Sequence, residues 1–423
     1  VNKIVKNNKE FNLTNCQESA VKEFERFIFR EQDSNFLLTG SSGVGKTSLI
    51  KNFADVLEKH NSMVNIGIAK IPIEDIFLMA PTHKAKGILA EKTGLEVHTI
   101  HSALQLKMFF DKDSGEQKFF KPKDSGILIP TNSLLVVEEA SMIDSYLLDL
   151  IIKHLPAGCK TLWLGDQFQL NQVGSSNTPV FEQGIKPVVL NELTRANNSE
   201  LANLVVTMRD AVITNTVPKI KTGNHTKLLS RVDFENEMIV AFNKNEDAKV
   251  LAWRNATVKR YNKLIHTSLN GSDDFFAGQQ LVVNKTFKNS VGELLNVEKP
   301  LTVLAIDGAH TVVINGELLE YTKLIISSDG TFIRVPSSKY KLNKVLKTFK
   351  DNKDWSNYYA TKEQYADVND AYAISTHKSQ GSSYTKVFVD LTDIMLNQKL
   401  NEMLRLLYVA LTRASDEVIL CKE

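Results

Sequence analysis

The chain has 423 residues, 43% of them apolar and 24% charged, and its 51 Lys and Arg against 49 Asp and Glu leave a net charge of +2. The apolar share supports globular cores, and at roughly 100–200 residues per domain the length suggests two to four domains. So small a net charge gives no overall field, so a polyanion must be met by local basic patches.

Three cysteines occur, Cys16, Cys159 and Cys421, far apart and without CxxC or Cys/His spacing. This argues against a zinc site or a disulfide framework and fits a reducing compartment. No apolar run approaches the roughly 18 residues of a membrane span. The start "VNKIVKNNKE" lacks the apolar core of a signal peptide, so a cytoplasmic protein is expected.

Short apolar runs punctuate the first half: "FLLTG" (36–40), "IFLMAPTH" (76–83), "LLVVEEAS" (134–141) and "TLWLGDQFQ" (161–169). Helical patterns separate them, which predicts a parallel α/β sheet whose ligands gather at the carboxyl ends of the strands. Within this half, "KMFFDKDSGEQKFFKPK" (107–123) sets Phe109-Phe110 and Phe119-Phe120 around turn residues and predicts a β-hairpin. Its aromatic pairs either pack on each other or meet bases.

The second half repeats the α/β theme with "KVLAWRN" (249–255), "AYAISTHKSQG" (371–381), "KVFVDL" (386–391) and "EVILC" (417–421). Between them, residues 275–336 turn β-rich, with "IDG", "ING" and "SDG" as expected turns, and read as a small inserted barrel. Then "KYKLNKVLKTFK" places Leu342, Val345, Leu346 and Phe349 on one helical face, with Lys341, Lys344 and Lys347 off it. That basic side is either a solvated face or a nucleic-acid contact.

The sharpest signal is "GSSGVGKT", which fits G-x-x-x-x-G-K-[ST] between a predicted strand and a predicted helix. By chance such a match arises in roughly one chain in a hundred of this length. Residues Gly40, Ser41, Ser42, Gly43, Val44, Gly45, Lys46, Thr47 and Ser48 would cradle a triphosphate, with Lys46 on the β/γ-phosphates and the Thr47 hydroxyl on Mg²⁺. Glu138 and Glu139 follow an apolar run, and two adjacent carboxylates there need a cation. Glu138 is assigned to the metal and Glu139 to the attacking water. Gln169 brings an amide towards the same sheet edge, and Arg195 and Arg413 are candidate cations opposite the developing charge.

Taken in order, "LTNCQESA", the P-loop, "APTHKAKGIL", "TIHSAL", "VVEEASM", "GDQFQL", "LTRA", "AISTHKSQGSSY" and "LYVALTRA" resemble superfamily 1 helicases of the RecD-like and phage Dda-like subgroup over nearly the whole chain. The resemblance implies an ATP- and Mg²⁺-dependent DNA helicase that travels 5′ to 3′ on single-stranded DNA. It implies two RecA-like parallel-sheet motor domains, residues 1–98 with 125–189 and 190–272 with 368–423. A β-hairpin pin (99–124) would insert into the first, and an SH3-like β-barrel with a basic arm (273–367) into the second.

By the same resemblance Gln17 reads adenine, Gln169 senses the γ-phosphate, Arg195 and Arg413 are arginine fingers, and Gly381 approaches the γ-phosphate. Pro81, Thr82, His83, Lys84, Thr99, His101, Thr376, His377 and Lys378 match DNA-facing segments, joined by the hairpin's Phe109, Phe110, Phe119 and Phe120. Single-stranded DNA and forks are the expected partners of a monomer with no membrane role; replication or single-strand-binding proteins are candidate partners. One departure is Glu138 where the family has aspartate: the extra methylene moves the carboxylate by about 1.5 Å, a shift that a water-mediated metal contact absorbs. Two rival readings are an ATP-holding single-strand binder with little turnover and a P-loop ATPase that remodels RNA or protein.

Overall fold

A computed structural model describes residues 13–67, 69, 71–110, 117–170, 178–192 and 199–422. The chain divides into two compact units, Val1–Leu229 with Thr376–Glu423, and Ser230–Ser375.

The first unit is built on a parallel sheet of β1 (Asn35–Gly40), β2 (Asp75–Ala80), β3 (Val97–Thr99), β6 (Ser133–Val137), β7 (Lys160–Gly165) and β8 (Val188–Leu190). Their spatial order is β3-β2-β6-β7-β1-β8. The apolar runs are continuous because both faces are covered, and alternate residues go to opposite sides. Phe36, Leu38, Leu134, Val136, Leu162 and Leu164 join one core. Leu37, Leu135, Val137 and Trp163 join the other.

The first core is closed by α1 (Asn15–Phe29), α2 (Ile50–Asn65) and α3 (His83–Thr93), with Phe24 stacked on Phe53 at 4.1 Å. The second is closed by α4 (Ile100–Ala103) and α5 (Ser145–His154), whose Leu147, Leu148 and Ile151 are buried. Because the strands are parallel, Gly40, Ala80, Thr99, Val137 and Gly165 all end on one edge.

The expected hairpin is present as antiparallel β4 (Lys107–Phe110) and β5 (Gln117–Phe120), with Lys107 opposite Phe120. The side chains of Phe109 and Phe110 lie outside the described residues. Further along the first unit, strands Thr226–Leu229, Tyr384–Asp390 and Ala414–Cys421 pair in parallel. Helix Leu400–Leu411 buries eight of its twelve side chains, among them Leu404, Leu407 and Tyr408.

The second unit has parallel strands Ala248–Ala252 and Ala373–Ser375, helices Arg231–Asn243 and Asn255–Asn270, and a group of antiparallel strands around Leu281, Val283, Phe287, Leu301, Leu324 and Ile333. "ING" is a two-residue hairpin turn with Asn315 at φ 53° and Gly316 at φ 77°. "IDG", expected as a turn, is instead a bulge within strand Ala305–Ile314, where the register shifts between Ile306 and Ala309. The basic side of helix Lys339–Asp351 faces its own unit: Lys341 pairs with Glu320 at 3.7 Å and Lys344 with Glu317 at 2.5 Å. Two of the three lysines offered for nucleic acid are thus matched by local acids.

Candidate active site

β1 delivers the chain to Gly40, where a side chain has no room: a Cβ would lie 2.5 Å from the Leu190 carbonyl on β8. Beyond it the loop turns through Gly43 and Gly45, at φ of 90° and 84°, and enters the single turn Thr47–Leu49 that leads into α2. The first N–H groups of such a helix have no intrahelical partner and favour an anion. Lys46 Nζ donates to the carbonyls of Gly40 at 2.6 Å and Ser41 at 3.0 Å, which folds the ammonium over the loop.

Gln17 braces this loop from α1. Its Nε2 donates to the Val44 carbonyl at 2.9 Å, and its Oε1 accepts the Thr14 N–H at 3.1 Å within a capping box. One N–H and one lone pair of the amide are engaged, which fixes its orientation and leaves a second N–H and a second lone pair for a base.

Glu138 and Glu139 leave the end of β6 in different environments. Glu138 is half-buried, with its carboxylate turned inward; burial, then the charge of Glu139, pushes that carboxyl up to about 7, against the pull of Lys46, Lys92 and Thr47. Its Oε1 accepts the Thr47 hydroxyl at 3.1 Å, while Oε2 is buried with no hydrogen-bond partner among the described residues. An orphaned buried oxygen beside a hydroxyl is a fitting place for a hard dication. No group of three or more His, Cys, Asp or Glu suited to a metal occurs among the described residues. A cation here would have Thr47 and Glu138 as its protein ligands, with phosphate and water completing the shell, as suits Mg²⁺. Glu139 takes a left-handed backbone, φ 52° and ψ 48°, a conformation costly for a non-glycine residue and held here by the turn Ala140–Met142.

Gln169 lies in the turn after β7, 3% exposed, with its Oε1 also without a partner among the described residues. Gly381 sits beside Glu139: a Cβ on it would be 3.6 Å from Glu139 Oε1. Together the loop, both glutamates, Gln169 and Gly381 line a pocket of about 240 Å³, closed on a further side by α3. Arg413 is 1% exposed and donates to the carbonyls of Val409 and Ser382 and to Thr412 Oγ1. Burial lowers its pKa while Glu139 raises it, so the two charges attract. Arg195 lies outside the described residues.

Residues 12–229 match the AAA domain family and residues 370–421 the UvrD-like helicase C-terminal domain. The ATP-dependent DNA helicase dda of Enterobacteria phage T4 is 26% identical over 457 residues, covering 96% of this chain and 98% of that protein. The chain belongs to the superfamily 1 helicases, in the group of Dda- and RecD-like proteins. Its fold is that of Pif1 helicases. A structure of forked-DNA unwinding by two coordinating Pif1 helicases matches with a TM-score of 0.53 at 15% identity, covering 97% of this chain and 92% of that one. Pif1 from Bacteroides with ADP-AlF3 and single-stranded DNA gives 0.52 at 16% identity, again over 97% and 92%.

The helicase groups several of its expected DNA-facing residues on the edge where β2 and β3 end. Thr82 caps α3 by accepting the Ala85 N–H at 3.1 Å, and Thr99 caps α4 by accepting that of Ser102 at 3.2 Å. Both hydroxyls thus fix backbone that presents His83, Lys84 and His101. Burial lowers the pKa of His83 and His101, which favours their neutral rings. The His101 ring lies 4.2 Å from that of Phe119 on the hairpin, whereas Phe120 is 41% exposed. Lys84 donates to the Lys378 carbonyl, joining α3 to the turn His377–Ser379. Thr376, which precedes that turn, is fully buried, His377 is half-buried and Lys378 is exposed.

Sequence reasoning missed the side of the pocket formed by α3. Ala85, Ile88, Leu89 and Lys92 line it at i, i+3, i+4 and i+7, a spacing legible in the sequence once the helix is placed. It also missed Asp166, Arg405 and Tyr408, although each lies in or beside a quoted motif.

Proposed function

We propose that this superfamily 1 helicase hydrolyses ATP with Mg²⁺ to move 5′ to 3′ along single-stranded DNA and to unwind duplexes at forks. The observation that carries this reading is the meeting of Lys46, Thr47, Glu138 and Glu139 with Gln169 and Gly381 around one pocket. A nucleotide held there is reached by the P-loop on one side and by the segment from Thr376 onward on the other. The direction of travel rests on the resemblance to the Dda-like subgroup.

The P-loop amides and Lys46 would bind the β- and γ-phosphates. Thr47 and Glu138 would hold the divalent cation, which when bound neutralises charge on the phosphate oxygens. Glu139 would orient the attacking water and take its proton. Gln169, Arg413 and Arg195 would meet charge as it develops on the transferred group. Loss of the γ-phosphate removes a contact shared by both sides, which is the energetic basis for alternating grips on a strand. His83, Lys84, His101, His377 and Lys378 would face that strand, and the hairpin would part the duplex ahead of it. We read the division into motor parts, pin and SH3-like insertion as given above, acting as a monomer whose partners include single-strand-binding or replication proteins.

The test is displacement of a labelled strand from partial duplexes carrying a 5′ or a 3′ single-stranded tail. Displacement from the 5′-tailed duplex with ATP is expected; activity on the 3′ tail alone would reverse the direction, and activity on neither would remove the helicase reading.

A further inference from the structure

The turn carrying Gln169 is held almost wholly by the segment that ends in Arg413. Asp166, 1% exposed, accepts the Tyr408 hydroxyl at 2.7 Å and, within the turn, the N–H of Phe168 at 3.0 Å. A short bond from a hydroxyl to a buried carboxylate is among the stronger neutral-to-charged contacts. Arg405 Nη1 donates to the carbonyls of both Gln167 and Gln169, each at 2.7 Å. Gln380 Nε2 donates to the carbonyl of Leu170 at 3.1 Å.

Four acceptors of one five-residue turn are therefore held from outside it, by three side chains that none of the roles above uses. Burial and Asp166 together raise the Tyr408 phenol well above its ordinary range, so it remains a donor at any working pH. Arg405 and Tyr408 lie on helix Leu400–Leu411, which runs directly into Arg413. By contrast Gln169 Nε2 reaches Asp166 only at 3.5 Å and Oε1 has no partner among the described residues, so the side chain is aimed but not tied down.

We infer that Arg405 and Tyr408 are positioning residues that hold Gln169 at the γ-phosphate by seating its turn on the helix that leads into Arg413. The inference deepens the ATPase reading and rests on it. Its physical content is that Gln169 is placed for the γ-phosphate only while its turn is docked on that helix, so the docking and the γ-phosphate contact form together. Tyr408 and Arg405 touch neither nucleotide nor metal in this arrangement; they act through the turn.

The experiment compares the affinity of the full chain for ADP and for ADP with beryllium fluoride, which restores a γ-phosphate-like group, by displacement of a fluorescent ADP. Tyr408→Phe keeps the ring and removes the bond to Asp166. The expected result is that it weakens the beryllofluoride complex by roughly tenfold while ADP stays within about twofold, the effect of one lost buried hydrogen bond to a charged group. Arg405→Lys, which can reach one carbonyl but not hold both, is expected to shift the same ratio, so the outcome does not hang on one variant.

In a Gln169→Ala background Tyr408→Phe should change the ratio no further, because the group being positioned is gone. A merely structural role would weaken both ligands equally, or add its full effect to Gln169→Ala; either result overturns the inference. Failure of the parent chain to bind ADP at all would instead remove the ATPase reading on which it rests.

Discussion

Thr47 donates its hydroxyl proton to Glu138 at 3.1 Å, tying the P-loop to the tip of β6 across 91 positions of sequence. The other oxygen of that carboxylate is buried with no partner among the described residues. A carboxyl in this position is costly as an anion and becomes useful only when a cation arrives.

This has a consequence for stability against pH. The Glu138 carboxyl is raised from 4.5 to about 7 in the folded protein. Between those values the folded state holds a proton that the unfolded state has released, so the contribution of Glu138 to stability is fully present below about pH 4.5 and is lost as pH rises through about 7. The span corresponds to about 3–4 kcal/mol as an upper bound. In EDTA, Glu138→Gln, neutral at all pH, should therefore raise the melting temperature relative to the parent at pH 8, and the gain should vanish near pH 5. Thermal melts at the two pH values check this; an equal effect at both would show that Glu138 is not the titrating group.

Lys46→Ala should remove hydrolysis by a factor of at least about a hundred, as loss of a cation facing the transferred phosphate does. Because Lys46 lies in the pocket and not among the DNA-facing residues, single-strand affinity should change by less than about threefold. Steady-state turnover and fluorescence anisotropy with a labelled oligonucleotide separate the two effects. Joint loss of both would place the P-loop on the strand's path.

Gly40→Ala tests the close approach of β1 and β8. Its new methyl would meet the Leu190 carbonyl, a backbone atom that cannot rotate away. Overpacking of this sort costs about 1–3 kcal/mol, and the shift falls directly on the phosphate loop. Denaturant melts should show the loss, with ADP binding weakened; an unchanged midpoint would contradict the packing described.

Phe120 is exposed at the end of β5, and its replacement by alanine should slow strand separation while leaving DNA-stimulated ATP turnover near the parent level. A base stacked on such a ring contributes about 1–3 kcal/mol. Parallel measurements of displacement and turnover decide it; equal loss of both would assign the ring to the motor rather than to the junction.

The parts of this architecture written in local pattern were legible beforehand. β1, β6 and β7 could be read because runs such as "LLVV" are buried on both faces, and the loops after them carry the chemistry at their carboxyl ends. The hairpin at Lys107–Phe120 followed from paired aromatics around turn residues. Contacts set by tertiary packing were not legible. Gln17 reads as a base contact in a motif, and the sequence gives no sign that its amide also braces Thr14 and Val44. The lysines of helix Lys339–Asp351 read as a basic side, but Glu317 and Glu320, on a strand some twenty residues earlier, meet two of them. Tyr408 and Asp166 are 242 positions apart, and no periodicity announces their bond.

The most direct test of the account is ATP turnover by the full chain with and without single-stranded DNA. A pocket that joins the P-loop and Glu139 to Gln169 and Gly381, on the same unit as the turn at His377 and Lys378 that we propose faces DNA, should make hydrolysis respond to a bound strand. The account predicts stimulation of at least about tenfold, equivalent to about 1.4 kcal/mol at the transition state. Turnover that proceeds at the same rate whether or not DNA is present would contradict it.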